Sequence, residues 1–213
     1  IPVLWWRAVG HTQNVFTMET LIDMVAAKAG RDPIDYRLDL LKSGTKREHE
    51  RFANVIRVVR DFSGWEKGQQ RGFAASYTFG TFLAVVADVS VSEKEVHIDR
   101  MFVAVDCGTA INPDVIKAQI EGGIGYGLSA AIYSEINFEN GVVMESNFPN
   151  YETLRINQMP KIDVKIVASA EAPGGIGEPG TPIAAPALIN ALYAKTGQRI
   201  TTLPISKSGF IFV

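Results

Sequence analysis

The stretch Ala172-Pro173-Gly174-Gly175-Ile176-Gly177-Glu178-Pro179-Gly180-Thr181-Pro182 holds four glycines and three prolines around a single charged group, Glu178. Glycine permits positive φ and close backbone approach, whereas proline fixes φ and removes a donor. Together they make a stiff, irregular loop that presents one carboxylate. Ile162 to Val167 before it reads as a strand, and the apolar run from Ala184 to Tyr193 after it reads as helical. A carboxylate at such a strand-to-helix junction, among apolar neighbours, suits a general base. The ordinary alternative is a turn whose glutamate is solvated or caps the next helix.

Outward from this loop, the 213 residues can bury a real core, and 46% hydrophobic with 21% charged residues is ordinary for a globular chain. A net charge of −2 supplies no basic field, which argues against nucleic acid as a partner. No apolar run approaches the ~18 residues of a membrane span. Cys107 is the only cysteine, so no intrachain disulfide forms and the redox compartment stays open. The opening Ile1-Pro2-Val3-Leu4-Trp5-Trp6 reads as the middle of a domain, and hence as part of something longer.

Three helices are expected early, none with assigned chemistry. The first runs from Thr17 to Ala29 with Gly30 beyond it. The second opens at Asp32-Pro33 as N-cap and N1, carries Ile34, Leu38 and Leu41 inward, and stops near Ser43-Gly44. The third runs from about Lys46 to Phe62. After Gly64-Trp65 the character changes. Arg71 to Ser92 and Glu95 to Val105 read as strands with a turn at Ser92-Glu93-Lys94, and Asn112-Pro113 opens a helix to about Tyr133. That helix has an apolar stripe every fourth residue, yet holds Gly122, Gly123, Gly125 and Gly127, at roughly 1 kcal/mol each. Either a close helix crossing or a large ligand accounts for them. Asn140-Gly141 marks a hairpin, Lys161 to Ser169 a strand, Pro186 to Thr196 a helix, and Arg199 to Val213 an edge strand or tail. The fold class is α+β, mixed sheets with packed helices, divided into a mostly helical part (1–63) and an α+β part (64–213).

Familiar motifs are readily excluded. Gly175 to Gly180 matches G-x-G-x-x-G, but no acid follows Glu178 to hold a ribose. His11, His49 and His97 are scattered and give no metal-ligand spacing. A nucleophilic Cys107 competes with a buried, inert thiol.

The ordered set Asp106-Cys107-Gly108, Asn112-Pro113, Gln119-Ile120-Glu121-Gly122, Gly127 and Gly177-Glu178-Pro179 resembles the molybdenum-binding region of the xanthine dehydrogenase/aldehyde oxidase family. Trp6-Arg7-Ala8-Val9-Gly10 and the Pro-Gly-Gly-Ile-Gly-Glu-Pro-Gly-Thr-Pro wording are similar to the branch of isoquinoline 1-oxidoreductase and bacterial aldehyde dehydrogenases. The resemblance implies a molybdenum hydroxylase acting on a small aldehyde or aromatic N-heterocycle. It implies Glu178 as base, Arg7 at the active site, and Gln119, Gly122, Gly123, Gly127 and Gly108 beside a molybdopterin cofactor in its cytosine dinucleotide form. It implies an iron–sulfur small subunit as electron acceptor. The family's Gly-Gln-Gly segment has no counterpart here, which implies the remainder of the chain's own subunit as a further partner. A scaffold that keeps the fold without cofactor is the alternative from another class. The two readings part on whether Glu178 faces an open cavity shared with Arg7 and Gln119 or packs against its own helix.

Overall fold

The computed structural model describes residues 4–42, 44 and 47–213, with residue 47 described by its backbone alone. The expected strand-like start at Ile1 to Val3, the helix stop at Ser43 and the helix start at Lys46 lie outside the described residues. Three helices, α1 (Gly10–Lys28), α2 (Pro33–Lys42) and α3 (Arg47–Ser63), precede β1 (Gly72–Thr78), β2 (Thr81–Ser92) and β3 (Glu95–Asp106). Helix α4 (Pro113–Ile132), a short hairpin of β4 (Phe138–Glu139) and β5 (Val142–Val143), β6 (Lys161–Ile166), α5 (Gly180–Thr196) and β7 (Ile211–Phe212) follow. Among the described residues no helix is long and apolar enough to cross a membrane.

The main sheet runs β1-β2-β3-β6, antiparallel except for the parallel β3–β6 pair, and β7 joins the far end of β3 in parallel. Strand β2 is buried on both sides, so its sequence is a continuous apolar run and not an alternating one. Leu83, Val85, Met101 and Val103 pack with α4 and α5, while Phe82, Ala84, Val86 and Phe102 pack with α3. The fold is α+β, with helices on both faces of a mixed sheet.

Three expectations are corrected. The run from Arg71 to Ser92 is two strands, because Phe79 and Gly80 take φ of 52° and 79° and turn the chain between Thr78 and Thr81. Helix α1 begins at Gly10, seven residues before the expected Thr17. Its apolar Leu21, Met24 and Val25 face outward, while Glu19, Thr20, Asp23 and Ala26 are buried. Charge pairing explains this inversion: Arg37 Nε donates to Glu19 Oε2 at 2.9 Å, the same oxygen accepts Ala75 N–H of edge strand β1 at 2.7 Å, and Asp23 accepts from Arg199 at 2.6 Å. Helix α5 begins at Gly180, six residues before the expected Pro186. Pro182 sits in the first turn, where an N–H is orphaned anyway. Pro186 lies inside the helix, and burial of every residue from Gly180 to Leu192 outweighs the bond it forfeits.

Candidate active site

The site is assembled at the ends of β2 and β3. Asp106 closes β3 with a nearly buried carboxylate, gripped by Arg51 of α3 through Nε–Oδ2 at 2.9 Å and Nη2–Oδ1 at 2.8 Å. Its Oδ1 also accepts Gly108 N–H at 3.0 Å. Burial pushes its pKa up, but Arg51 and the Gly108 N–H outweigh that and hold it below the ordinary value. Gly108 has φ of 74°, and a Cβ there would stand 2.1 Å from Ala172 O. Gly108, expected beside a cofactor, thus makes its closest approach to the Gly/Pro loop.

That loop is stapled along its length. Thr109 N–H and Oγ1 both donate to Glu171 O at 2.9 Å, Gly174 N–H donates to Cys107 O at 2.8 Å, and Gly175 N–H donates to Phe79 O at 2.7 Å. Thr81 Oγ1 donates to Gly175 O at 2.6 Å. Cys107 is buried, and burial pushes its thiol pKa up, the inert condition and not the nucleophilic one.

Beyond these staples the loop delivers half-buried Glu178 to the start of α5. The carboxylate does not cap that helix, whose N-cap is Pro179 without a side-chain bond. Instead Glu178 Oε1 accepts the Ala8 N–H at 2.8 Å. Arg7, next to Ala8, donates through Nε to Gly177 O at 3.0 Å and through Nη2 to the same oxygen and to Gln119 Oε1, the latter at 3.2 Å. Arg7, Gln119 and Glu178 therefore come together from positions 7, 119 and 178. Gln119 Nε2 and Glu178 Oε2 have no hydrogen-bond partner among the described residues.

The segment Trp6 to His11 is two consecutive tight turns, closed by Val9 N–H to Trp6 O at 2.8 Å and His11 N–H to Ala8 O at 3.0 Å. Ala8 and Val9 take φ of 70° and 42° without being glycine. Such backbone costs about 1–3 kcal/mol per residue and is held only where the surroundings demand it. Trp6 packs on Tyr126 of α4 with ring centres 4.8 Å apart, and the Arg7 guanidinium lies 5.7 Å from the Tyr126 ring.

The glycines of α4 divide by face. A Cβ on Gly123 would sit 3.1 Å from Gly180 Cα, and one on Gly127 would sit 2.4 Å from Thr181 O. These two, expected beside a cofactor, instead let α5 close against α4, since they share the inward stripe with Ile120 and Ile124. Gly122 lies on the outer face with Gln119 and Tyr126, and a Cβ there would meet nothing within 4 Å. Among the described residues no cluster of three His, Cys, Asp or Glu could hold a metal ion directly. A cation, a free amide nitrogen and an open glycine in one place do fit an anionic heterocycle. Sequence reasoning missed the Ala8 N–H and the Trp6–Tyr126 contact. A backbone donor carries no residue signature, and nothing local to either segment signals a partner over a hundred positions away.

Residues 12–160 match the family described as molybdopterin cofactor-binding domain. The chain is 35% identical over 96% of its length to isoquinoline 1-oxidoreductase subunit beta of Brevundimonas diminuta. It is 30% identical over 94% of its length to the membrane-bound aldehyde dehydrogenase (pyrroloquinoline-quinone) of Gluconacetobacter polyoxogenes. It spans 27% and 29% of those two relatives. Quinoline 2-oxidoreductase of Pseudomonas putida 86 shares the fold, with a TM-score of 0.51 and 23% identity over 59% of this chain and 17% of that one. With the family match covering most of the chain, the chain belongs to the molybdopterin cofactor-binding domain family.

Proposed function

We propose that this chain supplies the proton-accepting base and part of the cofactor contact surface of a molybdenum hydroxylase. Its substrate would be a small aldehyde, as the name of the Gluconacetobacter relative suggests, or an aromatic N-heterocycle, as that of the Brevundimonas relative suggests. The observation that carries the reading is the single tether on Glu178: Oε1 accepts Ala8 N–H at 2.8 Å, while Oε2 has no partner among the described residues. A carboxylate fixed by one oxygen keeps the other aimed and available for a proton. Gln119 Nε2 would donate to the pterin, and Gly122 would let the group lie against α4. When bound, the molybdenum–pterin group supplies activated water and accepts two electrons.

Those electrons would pass to iron–sulfur clusters on a separate small subunit, the Brevundimonas relative being named as one subunit of a larger enzyme. The cytosine dinucleotide form of the pterin, and contacts from the rest of a longer subunit, belong to the same proposal. The test is molybdenum and pterin analysis of the longest native form beside its Glu178→Gln variant. Wild type should carry the metal and oxidise an aldehyde or N-heterocycle. The variant should keep the metal and lose kcat by about 100- to 10,000-fold. A native form that binds no molybdenum under conditions that load related enzymes would leave the scaffold reading in its place.

A further inference from the structure

We infer that Arg7 is a positioning residue for Glu178, and that Trp6 to His11 forms a clamp bracketing the base-bearing loop. The inference rests on the proposed role of Glu178 but concerns a different residue and mode of action. The guanidinium spends Nε and Nη2 on the chain itself, on Gly177 O and Gln119 Oε1, one residue before the base and on the facing helix. Its own backbone is pinned in turn, since Thr12 Oγ1 donates to Arg7 O at 3.1 Å.

The next residue, Ala8, is fully buried and gives its N–H to Glu178 Oε1. At the other end of the turn pair, the His11 ring packs edge-on against Phe79 at 4.7 Å, and Phe79 O receives Gly175 N–H. The segment thus holds the loop directly at Gly177 and Glu178, while Phe79, against which its His11 packs, holds the Gly175 end. Positive φ at Ala8 and Val9 turns the chain from these contacts into α1 within two residues. An arginine serves here because its planar fork reaches two acceptors at fixed angles, whereas a lysine offers a single point charge. Arg7 Nη1 has no partner among the described residues, so direct substrate contact is the competing role. It makes the opposite kinetic prediction.

The experiment uses the full-length native enzyme with its partner subunit and compares wild type, Arg7→Met and Arg7→Lys. A positioning role predicts that Arg7→Met lowers kcat about 100-fold, the penalty for a base misplaced by roughly 1 Å, with KM changed less than about threefold. The loss should be equal for an aldehyde and an N-heterocycle, and Arg7→Lys should recover part of it. Amide hydrogen exchange, read independently of turnover, should speed up about tenfold in peptides covering residues 6–10 and 175–179. A KM raised tenfold or more with kcat retained would overturn the inference in favour of substrate contact. Loss of molybdenum from Arg7→Met, or unchanged exchange in both peptides, would overturn it as well. If Glu178→Gln retains turnover, the base assignment fails, while the exchange result still decides whether the clamp exists.

Discussion

Alanine at Gly122 and at Gly127 should change stability in opposite directions, although both sit in α4 five residues apart. In a helix interior each replacement gains about 0.5–1 kcal/mol from restricting the unfolded chain and from helix propensity. At Gly122 the new methyl meets nothing within 4 Å, so the gain stands. At Gly127 the methyl would lie 2.4 Å from Thr181 O and 2.9 Å from Ala184 Cβ, and relief requires α5 to move by about 1 Å. Overpacking costs about 1–3 kcal/mol, and a clash of 2.4 Å with a backbone oxygen belongs to the upper part, about 2–3, leaving Gly127→Ala destabilised by about 1–2.5 kcal/mol.

For a chain of this length the difference amounts to a Tm lowered by about 2–10 °C for Gly127→Ala, against a rise of about 1–4 °C for Gly122→Ala. Thermal unfolding of cofactor-free protein followed by circular dichroism measures both. The Gly122 methyl fills the open place beside Gln119, so the same substitution should reduce pterin and molybdenum content on loading. Equal signs for the two Tm shifts would refute the assignment of the glycines to different faces. Full cofactor loading of a stabilised Gly122→Ala would refute the placement of the group along that face.

Two further outcomes are expected. Cys107 should resist iodoacetamide in native protein and react only on unfolding, because the thiol is buried and its pKa is raised by that burial; rapid native alkylation would contradict this. Asp106 has a folded pKa below its ordinary value of 3.8, so its contribution to stability is complete above that value and is lost as pH falls through the lower folded value. Asp106→Asn should therefore lower stability at pH 7 by about 2 kcal/mol and flatten the acid limb of the stability curve, read by urea unfolding from pH 2 to 7. An acid limb unchanged in the variant would remove Asp106 from the account.

Much of this protein was legible in the sequence because the signals are local. Asn112-Pro113 does cap α4, with the Asn112 side chain accepting from Asp114 and Val115 N–H. Asp32 caps α2 by accepting from the N–H groups of Ile34 and Asp35, and Asn140-Gly141 turns its hairpin through positive φ. The ordered motifs pointed to the family, since several short patterns in fixed order are specific where each alone is not. Helix α5 starts six residues before Pro186 because Pro186 reads as a helix opening until burial on all sides is known. The apolar Leu21, Met24 and Val25 on α1 gave no warning that Glu19 and Asp23 would be the buried face, since Arg37, Ala75 and Arg199, the partners that make this possible, come from α2, β1 and the chain beyond α5.

The sequence alone determined the order of most elements, the family and the carboxylate to watch. Only the tertiary structure decided which glycines face another backbone and which face open space, and that Arg7 and the Ala8 N–H bracket Glu178. The physical reason is that a hydrogen bond spanning 170 positions depends on how the sheet ends are brought together, and no local pattern encodes that.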